Sequence, residues 1–161
     1  LARTAWLDSG IRDFPLAATY SYNLVNHEEG VDNGESDPPT AISAHITSSE
    51  FDLQDGDKFG FIRRILPDMT FLGSTADSPG ATMTFYPLKN SGSGYTTPAS
   101  EGGNSTGTIT RSVAAPVEAY TDQVNVRIRG RQMAIKVEST SAGVQWQLGS
   151  PRIDVRADGQ R

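Results

Sequence analysis

Two runs of alternating apolar and polar residues near the C-terminal end constrain the fold more than any other feature of the chain. The apolar positions are Val124, Val126 and Ile128 in the first run and Met133, Ile135 and Val137 in the second. A period of two is typical of a β-strand with one buried face. Ile128 and Met133 are five positions apart, so a regular strand would turn the two apolar sets to opposite faces. We therefore predict one long strand with a bulge around Gly130, with a tight hairpin there as the alternative.

Further strands are predicted after this double run, and together with it they form the part of the chain whose strand pattern is clearest. A turn is predicted at residues 141–143, and a third alternating run and a short last strand follow it. Their apolar positions are Val144, Trp146 and Leu148 in the run and Ile153 and Val155 in the last strand. Since alternating apolar side chains face a core, we expect Trp146 and Ile135 to lie in the same core. The predicted core residues are Phe61, Val126, Ile128, Ile135, Val137 and Trp146.

Composition favours strands and turns over helices. The chain has 161 residues with 16 glycines and 9 prolines, and no window shows sustained helical periodicity. A chain of this length forms about one domain. We predict an all-β fold in which a sandwich-like antiparallel domain spans residues 40–161. Residues 1–39 are predicted to form a β segment, either a short β-hairpin or a partial propeller blade, followed by an acidic linker.

The middle of the chain carries further strand and turn signals. Asp55-Gly56 stands between two apolar segments and predicts a hairpin that joins residues 41–53 to residues 58–72. The second of these segments has large apolar groups on both faces, which indicates a central strand. A further strand over 82–86 is expected to end at Pro87. Residues 89–111 are rich in Gly, Ser and Thr, so we predict a long exposed loop there, peripheral to the core.

Several classes of chemistry have little support in the sequence. There is no cysteine, which excludes disulfides and thiolate metal sites. His27-Glu28-Glu29 has Val31 where a zinc-binding helix would place its second histidine, and the aspartates at 52, 55 and 57 are better explained as a polar turn than as calcium ligands. No nucleophile elbow or phosphate-binding glycine loop is present. We predict no enzyme activity, no metal, no cofactor and no membrane insertion.

Charge is distributed unevenly along the chain. The net charge is −5, but residues 1–122 carry 7 Lys or Arg against 16 Asp or Glu, while residues 123–161 carry 7 against 3. Arg127, Arg129 and Arg131 are concentrated in the basic part. Such a group of arginines binds either nucleic acid phosphates or carboxylates. We favour pairing with carboxylates, within one subunit or between subunits, and expect Arg127 and Arg129 to be accessible because they alternate with the apolar positions.

Four segments of the chain resemble the C-terminal part of the tail nozzle proteins of short-tailed bacteriophages, also called tail tubular protein B or tail hub proteins. The segments are HEEGVD (27–32), HITSSEFDLQDGDKFGFIRRILPDM (45–69), VRIRGRQMAIKVES (126–139) and GVQWQLGSPRIDVRADGQR (143–161). The resemblance covers most of residues 20–161 except 89–111. Its least common pieces are the Arg-Gly-Arg-Gln and the Gly-Ser-Pro-Arg-Ile-Asp-Val-Arg sequences.

The resemblance implies a homohexameric ring in the virion tail, below the portal and adaptor, through which the genome leaves. Family members combine an incomplete β-propeller with further β-domains, and the family has no catalytic residues to carry over. The partners implied are further copies of the chain, the tail adaptor, the tail fibre or tip proteins, and DNA in transient passage. Because nozzle proteins are several times longer, the Leu1 start leads us to expect a fragment. The alternative hypothesis is a β-sandwich module that binds a carbohydrate or a receptor through the loop around Tyr95.

Overall fold

The computed structural model of the chain describes residues 3–8, 10–90 and 112–159, together with the backbone of the strands at 96–98 and 108–110. The predicted all-β class is confirmed, since the described residues form fifteen strands and no helix. In chain order the strands are β1 (Arg3–Leu7), β2 (Leu16–Thr19), β3 (Leu24–Asn26), β4 (Ala44–Thr47), β5 (Phe51–Asp52), β6 (Gly60–Leu66), β7 (Met69–Thr70), β8 (Gly80–Leu88), β9 (Thr96–Pro98), β10 (Thr108–Thr110), β11 (Val113–Glu118), β12 (Val124–Gly130), β13 (Gln132–Ser139), β14 (Gln147–Leu148) and β15 (Arg152–Ala157).

Two antiparallel sheets share one hydrophobic core. The larger sheet has the order β11-β8-β13-β4, with β5 also paired to β13, and the smaller sheet has the order β12-β6-β15. Their side chains meet in one cluster of buried residues, as expected for a sandwich-like fold. The largest fully buried side chains of this cluster are Leu53, Ile62, Ile65, Met83, Phe85, Val117, Ile128, Met133 and Val137.

The double run of alternating residues passes from one sheet to the other. β12 belongs to the smaller sheet and β13 to the larger one, with a bend at Arg131 between them. The two strands do not pair with each other, so a hairpin is excluded, and the predicted long strand is bent into two sheets rather than bulged within one. This crossing resolves the odd spacing, because Ile128 and Met133 both face the shared core. A Cβ at Gly130 would lie 3.0 Å from the carbonyl oxygens of Gln132 and Leu88, so the corner favours glycine.

The predicted Asp-Gly hairpin is wrong. β5 pairs with β13, whereas β6 pairs with β12 and β15, so the turn at 54–57 carries the chain between the two sheets. The conformation that motivated the prediction is present, since Gly56 has φ +76°. The central position of β6 is confirmed. Pro87 does not end its strand, because β8 continues to Leu88. The pairing of β8 with β11 ends earlier, at Phe85.

The predicted core residues occupy three kinds of position. Val126, Ile128 and Val137 are buried in the core cluster, and Ile135 and Trp146 are half-buried and pack against that same cluster. Phe61 differs from the prediction, because it lies outside the core, half-buried and opposite Arg129. The physical reason is an irregularity in β6, where both Ile62 and Ile65 point inward although they are three positions apart.

The N-terminal segment forms a sheet of its own. β1, β2 and β3 pair in an antiparallel meander, which has one strand more than a hairpin. The acidic linker after it is anchored on the sandwich, because both carboxylate oxygens of Asp32 accept the backbone N–H of Gly143 at 2.8 Å. That glycine, in the predicted 141–143 turn, has φ +74°. Two further pairs, β7 with β14 and β9 with β10, are short. The β9–β10 ribbon lies in the predicted loop at 89–111, and most of that loop lies outside the described residues.

Candidate functional site

The outer face of the smaller sheet carries a concentration of arginines, which we call the arginine face. Its members are Arg63, Arg64, Arg127, Arg129, Arg152 and Arg156. Directly opposed residues of an antiparallel pair lie on the same side of the sheet. The register pairs Arg129 and Arg156 with Phe61, on the two sides of β6, and it pairs Asp154 with Arg64. The inward alternation of the neighbouring apolar residues therefore turns these guanidinium groups outward.

Two carboxylates lie among the six arginines, which leaves an excess of four positive charges. Asp154 is shared by two of them, since one of its oxygens lies 3.7 Å from a guanidinium nitrogen of Arg63 and 3.7 Å from one of Arg64. These distances exceed those of a charged hydrogen bond, so both arginines keep donors for another acceptor. The side chains of Arg63 and Arg64 are 54% and 42% exposed, respectively. The face is therefore only partly neutralised.

Arg129 and Arg131 both lie over the ring of Phe59. Their guanidinium carbons are 4.1 and 5.0 Å from the ring centroid, respectively. Arg129 also donates to the carboxylate of Asp158 and, at 3.2 Å, to its backbone oxygen. Arg131 is half-buried at the bend between the sheets and is not part of the arginine face. The three arginines singled out from the sequence thus separate into a partner-rich pair at the corner and the exposed Arg127.

Three members of the face stand apart from described carboxylates. Among the described residues, none of the Asp and Glu side chains forms an ion pair with Arg127, Arg152 or Arg156. All three residues are exposed. Beside Arg127 runs a shallow groove that Phe61, Arg63, Val113, Asn125 and Val126 also line. The arrangement suits a partner that presents acidic groups and some apolar surface.

Two cations outside the arginine face, Lys136 and Arg3, each form an ion pair in the described structure. On the larger sheet, the hydrogen bond from Lys136 to Glu138, 2.5 Å long, raises the pKa of the Lys136 ammonium. In the N-terminal segment, Arg3 pairs with Glu35 at 2.9 Å and donates to the ring nitrogen Nε2 of His27 at 2.9 Å. His27 also packs against Trp6, with 4.5 Å between the ring centroids. His27 is therefore part of a structural cluster between the meander and the linker.

A second exposed surface is apolar and belongs to the meander. Its large exposed side chains are Trp6, Leu7, Ile11, Phe14, Tyr20, Tyr22 and Leu24. Tyr22 and Ile11 are almost fully exposed, at 99% and 96%. These side chains lie on β1 and β3 and in the two connections of the meander, so contact with another element or molecule would remove several of them from water.

Sequence reasoning found Arg127 and Arg129 but missed four members of the arginine face. Arg63 and Arg64 are adjacent, so simple alternation assigns them to opposite faces, and only the irregularity in β6 brings both to Asp154. Arg152 and Arg156 alternate with Ile153 and Val155, and that periodicity was a usable signal. The periodicity does not reveal that β6 pairs with both β12 and β15. This pairing brings the arginines of the three strands together.

No site for a metal ion or for membrane crossing emerges from the described parts of the chain. Within residues 3–8, 10–90 and 112–159, no three His, Asp or Glu side chains are grouped so that they hold a metal ion. None of the described residues belongs to a helix that is long and apolar enough to cross a membrane. No family model matches the chain, and no curated protein matches it.

Proposed function

We propose that this chain is a structural, non-enzymatic subunit of a bacteriophage tail. In this proposal it forms part of a ring-shaped nozzle conduit that retains the packaged genome and passes it during ejection. The ring is a homohexamer in the virion tail, in contact with the tail adaptor and with fibre or tip proteins. The proposal rests on the resemblance of residues 27–32, 45–69, 126–139 and 143–161 to nozzle proteins, and on the exposed surfaces described above.

The observation that carries the assembly role is the exposed apolar surface of the meander. Seven large apolar side chains are exposed between Trp6 and Leu24. A soluble monomer rarely exposes so many in one short segment, because each gains free energy when it is removed from water. Contact with other subunits or other parts of a tail would bury them. The described surface is thus better suited to large protein contacts than to a small-molecule site.

The charge distribution fits the conduit part of the proposal. The chain has a net charge of −5 while the arginine face has an excess of +4, so the remaining residues carry −9. An acidic lumen wall repels the phosphate backbone weakly and keeps DNA from adhering while it slides. In this arrangement the arginine face lies away from the lumen, at a contact between proteins.

Assembly of the unmodified chain tests the proposal. Native mass spectrometry and negative-stain electron microscopy should show a closed ring in purified protein or in the intact tail. Leu24→Glu places a charge on the exposed apolar surface and should weaken assembly. The matched control is Leu72→Glu, since Leu72 is also exposed, at 82%, but belongs to the sandwich. A strictly monomeric chain at every concentration, and its absence from a tail ring in the particle, would contradict the proposal.

The second candidate function is a β-sandwich module that binds a carbohydrate or a receptor. Exposed tyrosines favour it, because sugar rings pack on aromatic faces: Tyr20, Tyr22 and Tyr120 are 67%, 99% and 79% exposed. The Tyr95 loop that first suggested this function lies outside the described residues. A monomer that binds defined glycans on an array, with binding lost in Tyr120→Ala, would favour this candidate over the ring.

A further inference from the structure

The arginine face has more arginines than carboxylates among its described residues. Arg127, Arg152 and Arg156 are exposed, and no ion pair joins them to any of the described carboxylates. Arg63 and Arg64 share Asp154 at 3.7 Å and retain donors. A guanidinium group presents its N–H donors in a planar fork that matches a carboxylate. The face is therefore suited to a partner that supplies several carboxylates.

The linker between the meander and the sandwich has the complementary chemistry. Residues 28–37 contain five acids and no Lys or Arg. Asp32 anchors this segment on the backbone N–H of Gly143, and Glu35 holds Arg3. Glu28, Glu29 and Asp37 remain exposed, and Glu29 makes a hydrogen bond of 2.7 Å with the amide of Asn26. The segment is thus held in place by two of its acids while three others face solvent.

The face and the acidic segment form no ion pair with each other among the described residues. The segment is anchored beside the 141–143 turn that follows β13 in the larger sheet, whereas the arginines lie on the outer side of the smaller sheet. Complementary patches at different places on one chain are suited to a head-to-tail contact between copies, and such contacts form a ring when the rotation between neighbouring copies closes.

We propose that the arginine face of one copy docks on the acidic segment 28–37 of a second copy. This proposal deepens the assembly role and rests on it, since it assigns the contact that joins neighbouring subunits. A nucleic acid is the less suitable occupant, because the remaining −9 charge of the chain repels a long polyanion that extends past the face. A protein segment with five acids is short enough to remain on the face.

A charge exchange in the full chain tests this contact. Arg127→Glu with Arg152→Glu alters two exposed arginines that lie apart from described carboxylates, so folding should be unaffected. Self-association measured by sedimentation equilibrium should weaken at least about tenfold, because like charges then oppose each other at the contact.

Glu28→Arg with Glu29→Arg should weaken self-association similarly. All four substitutions together should restore most of the association. The matched control, Lys89→Glu at an exposed position outside both patches, should leave it unchanged.

The outcomes separate this proposal from the proposed function. If the unmodified chain assembles but the exchange does not restore association, or if the reversed arginines have no effect, the docking contact is wrong while the ring remains. If the unmodified chain shows no assembly by microscopy, the proposed function fails with it. Salt-sensitive binding of a short duplex DNA that is lost in the arginine variant, without any change in self-association, would assign the face to a polyanion and overturn the docking contact.

Discussion

The meander and the sandwich are both antiparallel sheets, yet they differ in what they bury. Among the described residues of the meander, Ala17 and Thr19 alone are buried, while Tyr22 is 99% exposed. In the sandwich, by contrast, Met83, Phe85 and several other large apolar side chains are fully buried. The sandwich therefore has a core of its own, and the meander has almost none. A three-stranded sheet of this kind depends on what it packs against for its stability.

The difference shows where stability and assembly are located in this chain. Strands that face each other across a core gain free energy from burial within one molecule. Strands with exposed apolar faces gain it only in contact with another element or another molecule. The buried core thus lies in the sandwich, and the contacts proposed above lie in the meander and on the arginine face. Substitutions in the two regions should consequently affect different measurements.

The largest expected effect compares a core phenylalanine with an exposed tyrosine. Phe85→Ala should lower the free energy of unfolding by about 3–5 kcal/mol, because it leaves a cavity between the two sheets. Tyr22→Ala, at a position that is 99% exposed, should change it by less than about 0.5 kcal/mol. Urea denaturation of the chain at low concentration measures both. Equal losses would show that the meander shares the core and would remove the distinction between the two regions.

A smaller effect tests the connection between the regions. Asp32→Ala removes the carboxylate that accepts the N–H of the buried Gly143 at 2.8 Å. Loss of a hydrogen bond to a charged group, which leaves the donor unsatisfied, costs about 1–3 kcal/mol. The free energy of unfolding should therefore fall by about that amount. Asp32→Asn retains an acceptor oxygen and should recover part of the loss. If alanine and asparagine leave the urea midpoint unchanged, the linker is not a stabilising clamp on the sandwich.

The sequence predicted local features of the sandwich well and its long-range strand pairing poorly. The alternation in 124–137 correctly located a break at Gly130, and the φ of +76° at Gly56 matches its predicted turn. Both sites, however, connect two sheets, and neither is a hairpin. Periodicity reports which side chains share a face, whereas strand partners depend on contacts between distant residues. Trp146 shows a second limit, because alternation predicts the inward direction of a side chain but not that it is only half-buried.

Prediction of the arginine face depended on knowledge of the strand pairing even more strongly than prediction of the fold did. Arg127 and Arg129 were recognised because they alternate with Val126 and Ile128 on one strand. Arg64 joined the face through its register with Asn125 and Asp154 on two other strands, which no local pattern contains. Phe61 was wrongly assigned to the core because the prediction assumed regular alternation along its strand. An irregularity in β6 reverses that alternation, and no local sequence pattern reveals it.

The smallest expected effect concerns the Gly/Ser/Thr-rich segment that joins β8 to β11. Those two strands already pair from Phe85 and Val113 onward, so their ends are close together and a short connection spans them. Replacing residues 91–110 with a short Gly/Ser linker should change the free energy of unfolding by less than about 1 kcal/mol, because loop-closure entropy varies slowly with length. The β9–β10 pair within the segment bonds to itself and to no other strand of the described sheets, which supports this expectation. Urea denaturation of the shortened chain provides the measurement, with Phe85→Ala as the reference for a core defect. A loss of several kcal/mol would place the segment with the sandwich core and show that the boundary between folding and peripheral regions was drawn in the wrong place.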